Sequence, residues 1–379
     1  MATLKSARPP RQRAGHASCY ALPCPQGSDA IDMPTQEPDA QFQESIDPLS
    51  AGATPVTASA RSIFLKHLRA GWQLKACISL ALIILLARDV DWAKLADSLA
   101  VTNKRYIAAA FALLSLAPIM TAERWRNAAL ASNVRLSRML FLRATYAAVF
   151  VGQFLPAGVG VDVARLGILW KKKVPLRLAA QSIIVDRIIG VSSILILMLT
   201  GMPFAMHRLP PSAVLPTVLV IGLLVAAFAS LLFMDRLPLP QWLRRRQIES
   251  LFSLLSPARD AMRTPQVALA FGYGIGLHAA CILAVLFLAQ AFGYSLQYRD
   301  LLTVVSFTIF AALLPISFNG WGVREGSMII ALSLLSVSKE AALVISFLFG
   351  IGSAISSLPG SVSWHSLDAG NEDESGNAR

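Results

Sequence analysis

Leu155-Pro156-Ala157-Gly158-Val159-Gly160 interrupts an apolar run over about 139–171, and Leu314-Pro315-Ile316-Ser317-Phe318-Asn319-Gly320-Trp321-Gly322 interrupts a second over about 300–336. Proline removes a backbone donor and glycine weakens a helix, so neither run reads as one straight rod. Around them lie six apolar segments at about 71–88, 106–122, 179–202, 214–234, 265–290 and 340–363. Each approaches the ~20 residues that cross ~30 Å of hydrocarbon. The reading is an all-α polytopic membrane protein with about six full spans and two re-entrant broken-helix hairpins. Eight full spans is the alternative.

Composition agrees. Of 379 residues, 55% are apolar and 15% are charged, against about 25% charged in soluble domains. Mean hydropathy is +0.57. A disordered chain and an ordinary soluble enzyme are both disfavoured. The net charge of +12 arises between apolar segments, because both termini are net acidic. Nucleic acid is therefore not the implied partner; loop charge is a sufficient cause.

Basic residues orient the spans. Residues 61–75, 123–143, 165–177 and 236–263 are all rich in Lys and Arg, so all are expected on the cytoplasmic side. A single full crossing between 143 and 165 would violate that. A hairpin over 139–171 that enters and leaves on one side does not. The second broken run then enters from the opposite side. The halves about 61–205 and 210–365 become an inverted repeat, a pattern of transporters with broken helices at the midplane. Both termini are expected in the cytoplasm. Residues 1–60, rich in Pro, Gln, Ser and Asp, read as a disordered tail, and 366–379 as an acidic one.

The catalytic motifs that would mark an enzyme are missing, and the cysteines and histidines are scattered without metal spacing. No cofactor is expected. Gly272, Gly274 and Gly276 lie inside an apolar segment and read as small residues for close helix packing. Broken helices in lipid need protein or water for their freed backbone groups. Pro156, Gly160, Pro315, Asn319 and Gly322 therefore mark a buried cavity with N–H groups free for an anion. Charged residues flank the breaks: Asp162 and Arg165, Asp186 and Arg187, Arg324 and Glu325. Charge at membrane depth is costly and serves a pathway or a pair. Asp162 and Arg165 share a helix face and would form an interfacial pair. Asp186 and Arg187 are adjacent and would each find a separate partner. Trp242, Arg244, Arg245 and Arg246 open a basic stretch that reads either as plain cytoplasmic retention by positive charge or as an amphipathic helix suited to an anionic membrane surface.

Four stretches together resemble the lysylphosphatidylglycerol synthase transmembrane region, or flippase-like domain family. They are Glu123-Arg124-Trp125-Arg126, Gly152-Gln153-Phe154-Leu155-Pro156 through Arg165, Val185-Asp186-Arg187-Ile188-Ile189-Gly190, and Asn319 through Gly326. The resemblance covers about 61–365. It implies an inner-membrane protein that translocates a phospholipid, glycolipid or lipid-linked glycan. A different class, a scaffold or accessory subunit for a lipid- or glycan-modifying enzyme, stays open. The implied partners are membrane lipids with anionic headgroups. The chain runs only about 15 residues past its last span, so no synthase domain and no aminoacyl transfer are expected.

Overall fold

A computed structural model describes residues 102–363 except 156–158, 208–209, 233–259, 315–316 and 318, together with residues 81, 84 and 88. The expectations for residues 1–60, the span at 71–88, Pro156, Pro315, Trp242, Arg244, Arg245, Arg246 and the tail 366–379 fall outside the described residues. All described residues belong to the compact unit Ile63–Arg379.

Among the described residues there are nine helices and no strand. They are α1 (Lys104–Ala131), α2 (Arg138–Gly152), α3 (Val159–Lys171), α4 (Leu176–Met206), α5 (Pro211–Leu232), α6 (Pro265–Ala291), α7 (Tyr298–Leu313), α8 (Val323–Ser333) and α9 (Lys339–Ser357). Local sequence sets their starts. Asn103, Ser137 and Ser338 cap α1, α2 and α9 by accepting the N–H of Arg105, Leu140 and Ala341. Pro265 opens α6, where its missing N–H costs nothing.

Among the described residues, five helices are long and apolar enough to cross a membrane: α1, α4, α5, α6 and α9, the last continuing to Ser363. They match five of the six spans expected from sequence. One boundary differs. The span expected over 106–122 extends to Ala131, and Glu123, Arg124 and Trp125, expected in a loop, are buried in the helix. Nothing between Pro118 and Ser132 breaks the helix, so the charges stay inside it.

The two interrupted runs break where the Leu-Pro motifs fall. Their arms, α2 with α3 and α7 with α8, have 15, 13, 16 and 11 residues. At 1.5 Å per residue each arm is roughly 16–24 Å long, shorter than the hydrocarbon layer. In each case the two arms pack on one another. The second break depends on left-handed backbone at Asn319 (φ 45°), Gly320 (φ 78°) and Gly322 (φ 88°). A Cβ at Gly320 would also press on the Ala312 side chain and carbonyl at 3.2 Å.

The set of packed pairs among α1–α4 and α6–α9 is unchanged when α1, α2, α3 and α4 are exchanged for α6, α7, α8 and α9. α1 and α6 share the most extensive interface and run antiparallel. The N–H of Asn103 before α1 donates to the Ala291 carbonyl at the end of α6 (3.2 Å). At the other end, Ala128 clusters with Val267 and Ala270. Alanines 110, 122, 128 and 129 line α1, and small residues let backbones approach where lipid supplies no hydrophobic drive.

Glycine serves the same end at Gly201 on α4, where a Cβ would lie 2.7 Å from the Thr303 backbone N on α7. Of the three glycines in α6, only Gly274 is tightly enclosed, against Ser193 and Arg124; Gly272 faces open space. We expect Gly201→Val to destabilise the protein by about 1–3 kcal/mol through overpacking. Gly222→Val, with nothing within 4 Å, should leave thermal unfolding in detergent unchanged. Equal midpoints for both variants would contradict the α4–α7 packing.

Candidate functional site

One group of buried charges lies on α1, α3 and α4. Asp186, fully buried on α4, accepts from two arginines on two other helices. Arg124 of α1 donates through Nε (2.8 Å) and Nη2 (3.2 Å), and Arg165 of α3 through Nη1 (2.9 Å). Arg124 is 8% exposed and Arg165 2%. The Arg165 guanidinium also stacks on the Trp125 ring, 4.5 Å from its centroid. One turn beyond Asp186, Gly190 leaves room for Arg124: a Cβ there would lie 2.8 Å from Nη1.

The pairing differs from the sequence expectation in one respect. Asp162 and Arg165 do not form an ion pair with each other. Asp162 takes a bidentate bond from Arg187 on α4 (2.8 Å to each oxygen), while Arg165 bonds Asp186. The two neighbours on α4 thus find separate partners on α3, as side chains about 100° apart on a helix do. The Asp162–Arg187 pair is partly exposed, with side chains 26% and 34% accessible. Glu123, one residue before Arg124, is buried and bonds the exposed Arg138 at the start of α2.

The second break carries its own pair. Arg324 donates to Glu325 Oε1 through Nη2 (2.6 Å) and Nε (3.0 Å), and stacks 4.6 Å from the Trp321 ring centroid. The other Glu325 oxygen accepts the Gly322 N–H, capping α8. This corrects the expectation of N–H groups free for an anion at Gly322: the chain's own carboxylate already takes that donor. Ser346 of α9 donates to Glu325 at 3.5 Å. Gly350, one turn further, leaves room for Arg324, since a Cβ there would lie 2.8 Å from its Cζ.

The breaks themselves meet. Asn319 Nδ2 donates to Gln153 Oε1 across 166 positions of sequence. Gly160 packs on the Leu155 side chain within the first break. No bond joins the Arg324–Glu325 pair to the Asp186 cluster among the described residues.

Sequence reasoning passed over Arg124 and Gln153. Arg124 was read as loop charge; the unbroken helix-forming stretch after Pro118 was the signal that it stays inside. The signal for Gln153 was its place in the family-like stretch Gly152-Gln153-Phe154-Leu155-Pro156, which assigned it no partner. Chemically, the Asp186 cluster sets two guanidiniums against one carboxylate, which leaves one positive charge in surplus. Arg165 Nε and Trp125 Nε1 are both buried with no acceptor among the described residues. No three His, Cys, Asp or Glu residues come together as a metal set among the described residues.

A bundle of membrane-length helices with ion clusters inside it defines an integral membrane protein. The model of the lysylphosphatidylglycerol synthase TM region family matches residues 72–360, and the chain belongs to that family. A search of the curated proteins finds no match.

Removing one partner of a buried pair leaves the others uncompensated. Asp186→Ala should therefore cost about 3–5 kcal/mol. The triple change Asp186→Leu, Arg124→Met, Arg165→Met should recover much of it, because apolar packing replaces charge. Asp162→Ala, breaking a partly exposed pair, should cost about 1 kcal/mol or less. Unfolding in detergent micelles checks the order; Asp186→Ala as mild as Asp162→Ala would contradict it.

Proposed function

We propose that the protein translocates an amphipathic lipid, a phospholipid, glycolipid or lipid-linked glycan, across the inner membrane. The observation that carries this reading is the surplus positive charge on Arg124 and Arg165 beside two unaccepted donors, Arg165 Nε and Trp125 Nε1. A buried cation without full compensation is costly in a membrane. An anionic headgroup offsets it. The acyl chains stay in hydrocarbon, so only the headgroup needs a polar path.

The path lies where the helices break. In this reading α2–α3 and α7–α8 are re-entrant hairpins entering from opposite faces, and the halves of the chain form an inverted repeat. Support comes from the short arms, the antiparallel α1–α6 pair, the matched helix contacts and the Gln153–Asn319 bond between the breaks. Asp162, Asp186, Arg187, Arg324 and Glu325 line the route in this scheme, with carboxylates available to exchange protons. Both termini are cytoplasmic.

Reconstitution in vesicles with a fluorescent anionic phospholipid tests the function. Arg165→Gln removes the surplus charge but leaves the Arg124–Asp186 pair. Losing a charge-assisted bond of about 1.5–3 kcal/mol should slow headgroup transfer by about tenfold or more, compared in vesicles matched for folded protein by unfolding in detergent. Wild-type rates in this variant refute the assignment of Arg165. Arg324→Ala should abolish transfer while insertion persists. If the wild-type protein moves no headgroup of any kind, a scaffold role replaces translocation. Topology has its own check. A cysteine at position 172 should label from the same side as one at position 135; labelling from the opposite side removes the first hairpin.

A further inference from the structure

A second feature lies away from the charge cluster. α5, α7 and α8 enclose a cavity of about 190 Å³. Its walls include Thr217, Val220 and Ile221 of α5, Thr303 and Phe307 of α7, and Ile330 of α8. The two hydroxyls present no donor to it. Thr217 Oγ1 donates to the Ala213 carbonyl (2.7 Å), and Thr303 Oγ1 to the Met198 carbonyl (3.0 Å). With those groups satisfied the walls are chemically hydrocarbon, which disfavours a polar ligand. α5 and α4 are candidate spans, α5 the most hydropathic of the five. The cavity is therefore walled on one side by a segment suited to acyl chains.

A cation lies one turn along α7 from the lining residue Thr303. Arg299, Thr303 and Phe307 are spaced four apart on α7, so they share one face over about 12 Å. Arg299 is exposed, and its guanidinium lies 5.7 Å from the Phe204 ring near the end of α4. It has no acidic partner among the described residues. An exposed guanidinium at a helix start above a hydrocarbon groove matches the outline of one phospholipid: a phosphate above, a chain below.

We propose that this groove holds one acyl chain of an anionic phospholipid whose phosphate is bound by Arg299. The site is independent of translocation and stands or falls separately from it.

Photo-cross-linking decides. Benzoylphenylalanine replaces Val220 in the full-length protein, in vesicles of mixed phosphatidylglycerol and phosphatidylethanolamine. Irradiation should give a covalent phosphatidylglycerol adduct, identified by intact mass. Thr217→Trp, which fills the groove, should lower adduct yield at least fivefold. Arg299→Gln, an exposed change, should abolish the preference for phosphatidylglycerol over phosphatidylethanolamine. An adduct with a second protein chain, or with residues 71–88 of the same chain, overturns the proposal. So does an adduct yield insensitive to Thr217→Trp, or a headgroup preference unmoved by Arg299→Gln. Loss of lipid transfer with these results intact would count against translocation alone.

Discussion

One carboxylate, Asp186, holds three helices in register. Lipid tails are as apolar as leucine side chains, so helices gain little by burying apolar surface against one another. A charge without a partner, by contrast, is heavily penalised there. Arg124 on α1 and Arg165 on α3 both end on Asp186 of α4. The position of each helix along the others is thereby tied to a few tenths of an ångström of hydrogen-bond geometry. Trp125 adds a flat apolar face on which Arg165 rests.

Close approach makes these bonds reachable. A guanidinium is bulky and planar, and a missing side chain makes room for it between packed helices. Gly190 provides that space for Arg124 and Gly350 for Arg324. The two sites are built alike. Asp186 precedes Gly190 by four residues, and Ser346 precedes Gly350 by four. One arginine in each site stacks on a tryptophan, Arg165 on Trp125 and Arg324 on Trp321. The acid has a different location in the second site. It sits on α8 as Glu325, so Arg324 finds its countercharge one residue away and the pair is neutral. The first site keeps a surplus positive charge. That asymmetry separates a cluster suited to meet an anion from one that closes its own helix end.

The helix breaks and the charge sites depend on each other. A broken helix frees backbone groups that need acceptors and donors. At the second break Glu325 supplies one acceptor, and left-handed Asn319, Gly320 and Gly322 turn the chain so that Asn319 reaches Gln153. Polar contacts therefore continue from one break to the other within a bundle whose outer faces are apolar. The proposed amphipathic substrate would meet both kinds of surface. The groove beneath Arg299 has the same two-part chemistry on a smaller scale.

Much of the fold was legible in the chain because the bilayer imposes a length rule. Five spans, both helix breaks and the family are readable from apolar run lengths, Leu-Pro motifs and four short stretches. The separate partners of Asp186 and Arg187 follow from helix geometry alone. Which partners they are does not, since Asp162 with Arg187 and Arg165 with Asp186 depends on how α3 lies against α4. The same holds for Arg124, which looked like loop charge until α1 was seen to run on to Ala131 and bring it under Gly190. Glu325 capping its own helix, and Gln153 meeting Asn319 from 166 positions away, were equally out of reach. Run length and residue type are properties of a local stretch of chain; the pairing of buried charges is decided by contacts between segments far apart in it.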